Sequence, residues 1–86
     1  MDDIQLALRK MLVEDLFVEV PQAEIGADDR LRTEFGLDSL GFVELRVLCE
    51  QHFGIKISDE EFSPENFTSI NSVAALIRDL QAAQRV

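Results

Sequence analysis

The sequence predicts an all-α fold, a small four-helix bundle made of three main helices and a short third one. Three observations carry that expectation. Apolar residues recur at helical spacing in three separated stretches. Capping and stop residues bracket those stretches. The stretch between the first two has no period over almost twenty residues. With 86 residues there is room for one domain, residues 1–86, whose core must be economical.

The first helix opens at Asp2-Asp3, where carboxylates suit the helix dipole. Ile4, Leu8, Met11, Leu12 and Leu16 then mark one face, and Val20-Pro21 is read as its end because proline disfavours helix in the residue before it. From Pro21 to Asp38 the period is lost, which predicts a long loop with one helical turn around Arg30–Glu34. Ile25, Leu31, Phe35 and Leu37 are the side chains available to pin it. Loops of this length in so small a domain tend to be functional. The second helix is expected over Ser39–Phe53, capped by Asp38 and stopped by Gly54. The isoleucines of IKIS alternate as in a strand, but no partner strand is evident. Asp59–Phe62 and Pro64–Phe67 read as single helical turns in the region of the short third helix. The last helix is expected over Asn71–Ala83, capped by Ser69 or Asn71, with Ile70, Val73, Leu76, Ile77 and Leu80 on its core face.

Composition removes several function classes. Hydrophobic residues make up 47% and charged residues 29%, which is globular and not disordered. Seventeen acidic against eight basic residues give a formal net charge of −9. No basic cluster exists to displace counterions from phosphates, so nucleic acid is not an expected partner. Basic protein surfaces are favoured instead, although solubility alone explains an acidic surface as well. A single cysteine makes no internal disulfide, no stretch reaches the ~20 apolar residues of a membrane span, and MDDIQ is unlike a signal peptide. A cytoplasmic monomer with no membrane contact is the expectation.

The stretch GLDSLGFVEL, Gly36–Leu45, holds the chemistry. Asp38 and Ser39 stand at a helix start, where backbone N–H groups and the dipole favour an anion. Taken alone, they read more simply as an ordinary N-cap. Nothing in the sequence activates Ser39 as a nucleophile. The single histidine, His52, lies 13 residues on, roughly 20 Å along a continuous helix. Cys49 and His52 are neighbours three apart, but without a second Cys or His no zinc site is expected. Cys49 continues the column Phe42, Leu45, Cys49 and is read as core. Leu40, Val43, Glu44 and Val47 share another side of the helix beside Ser39, a surplus apolar stripe that either packs under the long loop or serves as a docking surface. Asp59-Glu60-Glu61 lacks calcium-loop spacing and reads as a solvated turn or a charged contact for a partner.

In register, DRLRTEFGLDSLGFVEL, ELRVLCEQHFGIKIS and ENFTSINSVAALI resemble the acyl and peptidyl carrier protein family over essentially the whole chain. The resemblance implies covalent 4′-phosphopantetheine on Ser39, flanked by Asp38 and Leu40 and attached by a separate phosphopantetheinyl transferase. It implies that an acyl or aminoacyl group is held as a thioester, loaded by a ligase or acyltransferase and presented to synthase or transferase enzymes. It further implies docking by Leu40, Val43, Glu44 and Val47, and an acyl pocket lined by Phe42. The chain departs from the fatty-acid-synthesis members at Gly41 and Gln51, where those members usually carry acidic residues. It also has a longer segment between Ile57 and Ile70. These departures favour a free-standing, specialised carrier in a polyketide, nonribosomal-peptide or aminoacyl type of pathway. The alternative class is an acidic helical interaction adaptor without a prosthetic group.

Overall fold

A computed structural model of the chain describes residues 1–84; the last two residues of the expected domain lie outside the described ones. Three α-helices, α1 (Asp3–Glu14), α2 (Ser39–Phe53) and α3 (Ile70–Gln84), and one 3-10 turn (Gln22–Glu24) make up its regular structure. No strand occurs among the described residues, and no described helix is long and apolar enough to cross a membrane.

Helix α1 starts with a reciprocal cap. Asp2 accepts from the Gln5 N–H at 2.9 Å, while the Gln5 side chain accepts from the Asp2 N–H at 3.0 Å. Leu8, Met11 and Leu12 are buried along its inner face, with Ile4 and Leu16 packed at the edge. The helix ends at Glu14, six residues before the Val20-Pro21 boundary that the sequence predicts. Its end is made by the backbone and not by the proline. The N–H groups of Leu16 and Val18 turn back to the carbonyls of Met11 and Leu12, and Phe17 takes a left-handed φ of 57°. A bulky residue held there costs about 1–3 kcal/mol.

The long connection is pinned as its apolar residues suggest: Ile25, Leu31 and Leu37 are buried and Phe35 is packed at the margin. It closes one helical turn through Glu34 N–H to the Arg30 carbonyl at 2.9 Å. Its backbone is also stitched to the start of α3. Leu31 N–H donates to the Thr68 carbonyl and Asn71 N–H to the Ala27 carbonyl, each at 2.9 Å. The Asn71 side chain joins Gln5 of α1 to Asp28 of the loop. The loop is therefore part of the bundle and not a flap over it.

Helix α2 has the predicted ends. The Asp38 side chain accepts from the Gly41 N–H at 2.8 Å, and Gly54 stops the helix at a φ of 65°, where a Cβ would be strained. The expected short third helix is replaced by two isolated turns, closed by Phe62 N–H to the Ser58 carbonyl and Phe67 N–H to the Ser63 carbonyl. The reason is punctuation. Ser58 and Glu61 cap each other reciprocally, and Ser63 takes the Asn66 N–H before Pro64 opens the second turn, so neither turn propagates. Ile55 and Ile57 both face the core, and the backbone beside them is served by side chains: Glu50 accepts from Ile57 N–H at 2.8 Å and Gln84 pairs with Lys56. The strand-like spacing of IKIS thus reflects burial without a sheet. In α3, Ser69 and Ser72 exchange hydrogen bonds at the first turn, and Ile70, Val73, Ala74, Leu76, Ile77 and Leu80 are buried.

Candidate functional site

Ser39 is the first residue of α2 and is exposed. The cap's hydrogen bonding is carried by the neighbouring Asp38, so the exposed serine's hydroxyl is not needed for it. The glycine two residues later has a packing reason. A Cβ on Gly41 would stand 2.9 Å from Leu37 Cδ1 and 3.1 Å from its Cγ, so the loop leucine closes down on the helix where any larger residue would hold it off. The departure at Gly41 is therefore a local fit between the long loop and α2.

Two grooves flank this helix start. One, about 420 Å³, is lined by Ser39 itself with Phe42, Val43, Phe62, Phe67 and the arginines Arg30 and Arg32. Arg32 Cζ sits 5.3 Å from the Phe42 ring centroid, and Phe62 meets Phe67 edge to face with centroids 5.0 Å apart. The other groove, about 660 Å³, lies across the helix under Leu40, Gly41 and Glu44 and is walled by the Phe17–Val20 segment and Leu37. Phe42 and the Phe67 region thus share one groove, while Leu37 belongs to the other.

Along α2 the two apolar sets separate. Phe42, Leu45 and Cys49 are buried. Leu40, Val43 and Val47 are exposed, Leu40 at 68%, and Glu44 is exposed among them. The stripe is not covered by the long loop. Arg46, on the opposite flank, ties α2 to the following segment. It donates to Asp59 and to the Ile57 carbonyl, and its guanidinium lies over Phe62 at 5.0 Å.

Burial, reinforced by the adjacent Glu50 carboxylate, pushes the Cys49 thiol up to about 12, so it is protonated at neutral pH. His52 is exposed and packs edge-on against Phe53 at 4.7 Å. Among the described residues no cluster of His, Cys, Asp or Glu has the makings of a metal site. In the acidic run, Glu61 is a turn cap whose carboxyl is held below the usual range by its hydrogen bonds from Ser58, and Asp59 pairs with Arg46. Both are structural at least in part.

Three residues near Ser39 escaped the sequence reading. Phe17 is 79% exposed and falls off the α1 face by one position, a misfit that was visible in the spacing. Arg30 and Arg32 stand in DRLRTEF, two basic residues close together in a strongly acidic chain, and were visible only as part of a turn.

An exposed serine without a base, capped so that its hydroxyl is free and bordered by a partly cationic, partly apolar groove, suits a covalently attached anionic arm. A protein-family profile described as a phosphopantetheine attachment site matches residues 7–77. Acyl carrier protein 2 of Pseudomonas aeruginosa is 38% identical over 61 residues, covering 71% of this chain and 75% of that protein. A holo acyl carrier protein from Nitrosomonas europaea shares the fold, with a TM-score of 0.82 at 22% identity, covering 94% of this chain and 99% of that one. A chain in the crystal structure of the Bradyrhizobium japonicum glycine:[carrier protein] ligase complexed with glycylated carrier protein matches with a TM-score of 0.68. It is 26% identical and covers 86% of this chain and 99% of its own.

Proposed function

Because this chain belongs to the phosphopantetheine-attachment family, and is a carrier protein with 4′-phosphopantetheine as its prosthetic group and not a catalyst, we propose that Ser39 bears that group and that the cargo is a short, branched, polar or aminoacyl unit. The observation that carries the reading is Ser39 itself, exposed at the N-terminus of α2 beside a cap that leaves its hydroxyl free. The group supplies a terminal thiol on which an acyl unit is held as a thioester.

The chain's own residues do the rest. Asp38 fixes the start of α2 and so the direction in which the serine side chain leaves the surface. Leu40, Val43, Glu44 and Val47 offer an apolar surface with an acidic edge to loading and accepting enzymes, while the buried column behind them keeps the helix from shifting. Phe42 narrows the groove beside Ser39, and the exposed Arg32, Thr33, Val43 and Thr68 leave that groove open along its rim. Both features favour a compact cargo over a long saturated chain drawn deep into the bundle. The glycylated carrier among the structural relatives supports an aminoacyl unit as one such cargo.

Incubation with coenzyme A and a broad-specificity phosphopantetheinyl transferase is expected to add one phosphopantetheinyl mass, and Ser39→Ala is expected to abolish the adduct. An adduct that survives Ser39→Ala overturns the site. Absence of any adduct with several transferases returns the chain to the class of acidic adaptors. Matched short and long acyl groups then test the cargo. Methyl shifts at Phe42 neighbours and α3 that grow with chain length, followed by NMR, overturn the compact-cargo reading.

A further inference from the structure

Ser39 stands between two grooves of opposite charge. The groove beneath Leu40 collects Asp15, Glu19, Glu34, Asp38 and Glu44 and has no basic residue in its lining. The groove that Ser39 itself lines has Arg30 and Arg32 and no acidic residue. In a chain of net charge −9 this sorting stands out against the background. Arg46 and Arg78 each meet a carboxylate, whereas neither Arg30 nor Arg32 has one within 4.0 Å among the described residues.

We propose that Arg30 and Arg32 receive the phosphodiester of the arm, so that the arm leaves Ser39 across Phe42 and rests in the arginine groove, while the acidic groove stays empty. The proposal rests on attachment at Ser39. A phosphodiester is a permanent anion placed one residue from the Asp38 carboxylate, which repels it toward the side without acids. A guanidinium presents a fork of donors suited to phosphate oxygens and remains charged at every working pH. The rest of the lining matches the rest of the arm: Phe42, Phe62 and Phe67 suit its methylenes, and Thr33 and Ser63 bring hydroxyls for its amides. Arg32, already held against Phe42, needs little ordering to take up this contact. The apolar stripe of α2 and the acidic groove then remain clear for a basic partner even while the arm is at rest.

The test uses the holo protein with a free thiol, its adduct on Ser39 established by mass. Conversion from apo to holo is expected to shift the Arg32 Nε–H and the rings of Phe42, Phe62 and Phe67, with nuclear Overhauser contacts from the arm to those rings and none to Phe17 or Val20. Arg30→Gln with Arg32→Gln is expected to remove the contacts and move the phosphorus resonance without changing the circular dichroism. Where the variant is a poor transferase substrate, ~1 M salt on the unaltered holo protein, at which the Debye length falls to ~3 Å, is expected to do the same. Three results overturn the proposal with the adduct intact: contacts to the Phe17 side, no contacts at all, or contacts indifferent to both the substitutions and salt. Contacts that arise only after a carboxylate-bearing acyl group is loaded also overturn it, because the arginines then serve the cargo. Failure to form the adduct is a different result and strikes the attachment reading instead.

Discussion

The two apolar sides of α2 are built from nearly the same kinds of residue and have opposite fates. Phe42, Leu45 and Cys49 are buried, Leu45 and Cys49 almost completely, while Leu40, Val43 and Val47 lie between 43% and 68% exposed. An ordinary surface helix spends its apolar residues on one stripe. This one carries a second stripe that the fold does not use, and that stripe begins beside the serine. Exposed valines and leucines contribute little to folding, which is what the docking role proposed for this stripe requires. The contrast teaches that hydrophobic periodicity in a carrier helix reports two surfaces at once, only one of which is core.

Single substitutions can break that contrast or sharpen it. The largest expected effect is on the inner side: Leu45→Ala should cost about 2–5 kcal/mol in a urea melt, since its side chain is fully enclosed and the space it leaves cannot readily collapse. On the outer side, Val47→Glu should cost no more than ~0.5 kcal/mol of stability. Its effect should instead be on transfer to a partner enzyme, weakened roughly tenfold, or ~1.4 kcal/mol. If Val47→Glu unfolds the chain, the two sides are not different and the outer stripe is core.

Phe17 extends the comparison off the helix. It is an aromatic residue mostly in solvent and held at a φ of 57°, so it contributes strain with little packing in return. Phe17→Gly is expected to raise stability by up to about 1 kcal/mol, read as a higher denaturation midpoint at unchanged slope. A fall in stability would show that Phe17 is holding the fold after all. The smallest effect is expected at Gly41. Helix propensity alone predicts that Gly41→Ala stabilises by ~1 kcal/mol. The approach of Leu37 to 2.9 Å predicts that this gain is cancelled or reversed, and a full gain in a thermal melt would contradict the fit between loop and helix.

Both ends of α2 were legible in sequence because each is decided by one residue acting locally: Asp38 bonds the Gly41 N–H, and Gly54 adopts the left-handed turn. The core face of α3 was legible for the same reason that periodic patterns generally are. The end of α1 was not. Leu16 to Val20 continues to look helical, and the actual stop is a left-handed phenylalanine that no propensity anticipates. The two turns after Ile57 were legible as turns; that they do not join into a short helix was not, because two closely spaced serine caps each start a turn that the next residues interrupt. At the candidate site the serine and the stripe were visible, but the sorting of charge was not. The carboxylates of one groove come from the connection after α1, the long loop and α2, and only folding brings them to one side of Ser39.

Cys49 has a consequence for the economy of sulfur in a protein whose work is done by a thiol. Only the thiolate attacks a thioester or a maleimide, and burial keeps this one protonated. Cargo held on the arm therefore finds no thiol acceptor in its own chain, and self-acylation through sulfur is closed off without any need to remove the cysteine from the sequence. The folded carrier with a free arm should consume one equivalent of thiol reagent, and the unfolded carrier two. The single exposed thiol thus becomes a direct count of how many molecules carry the arm.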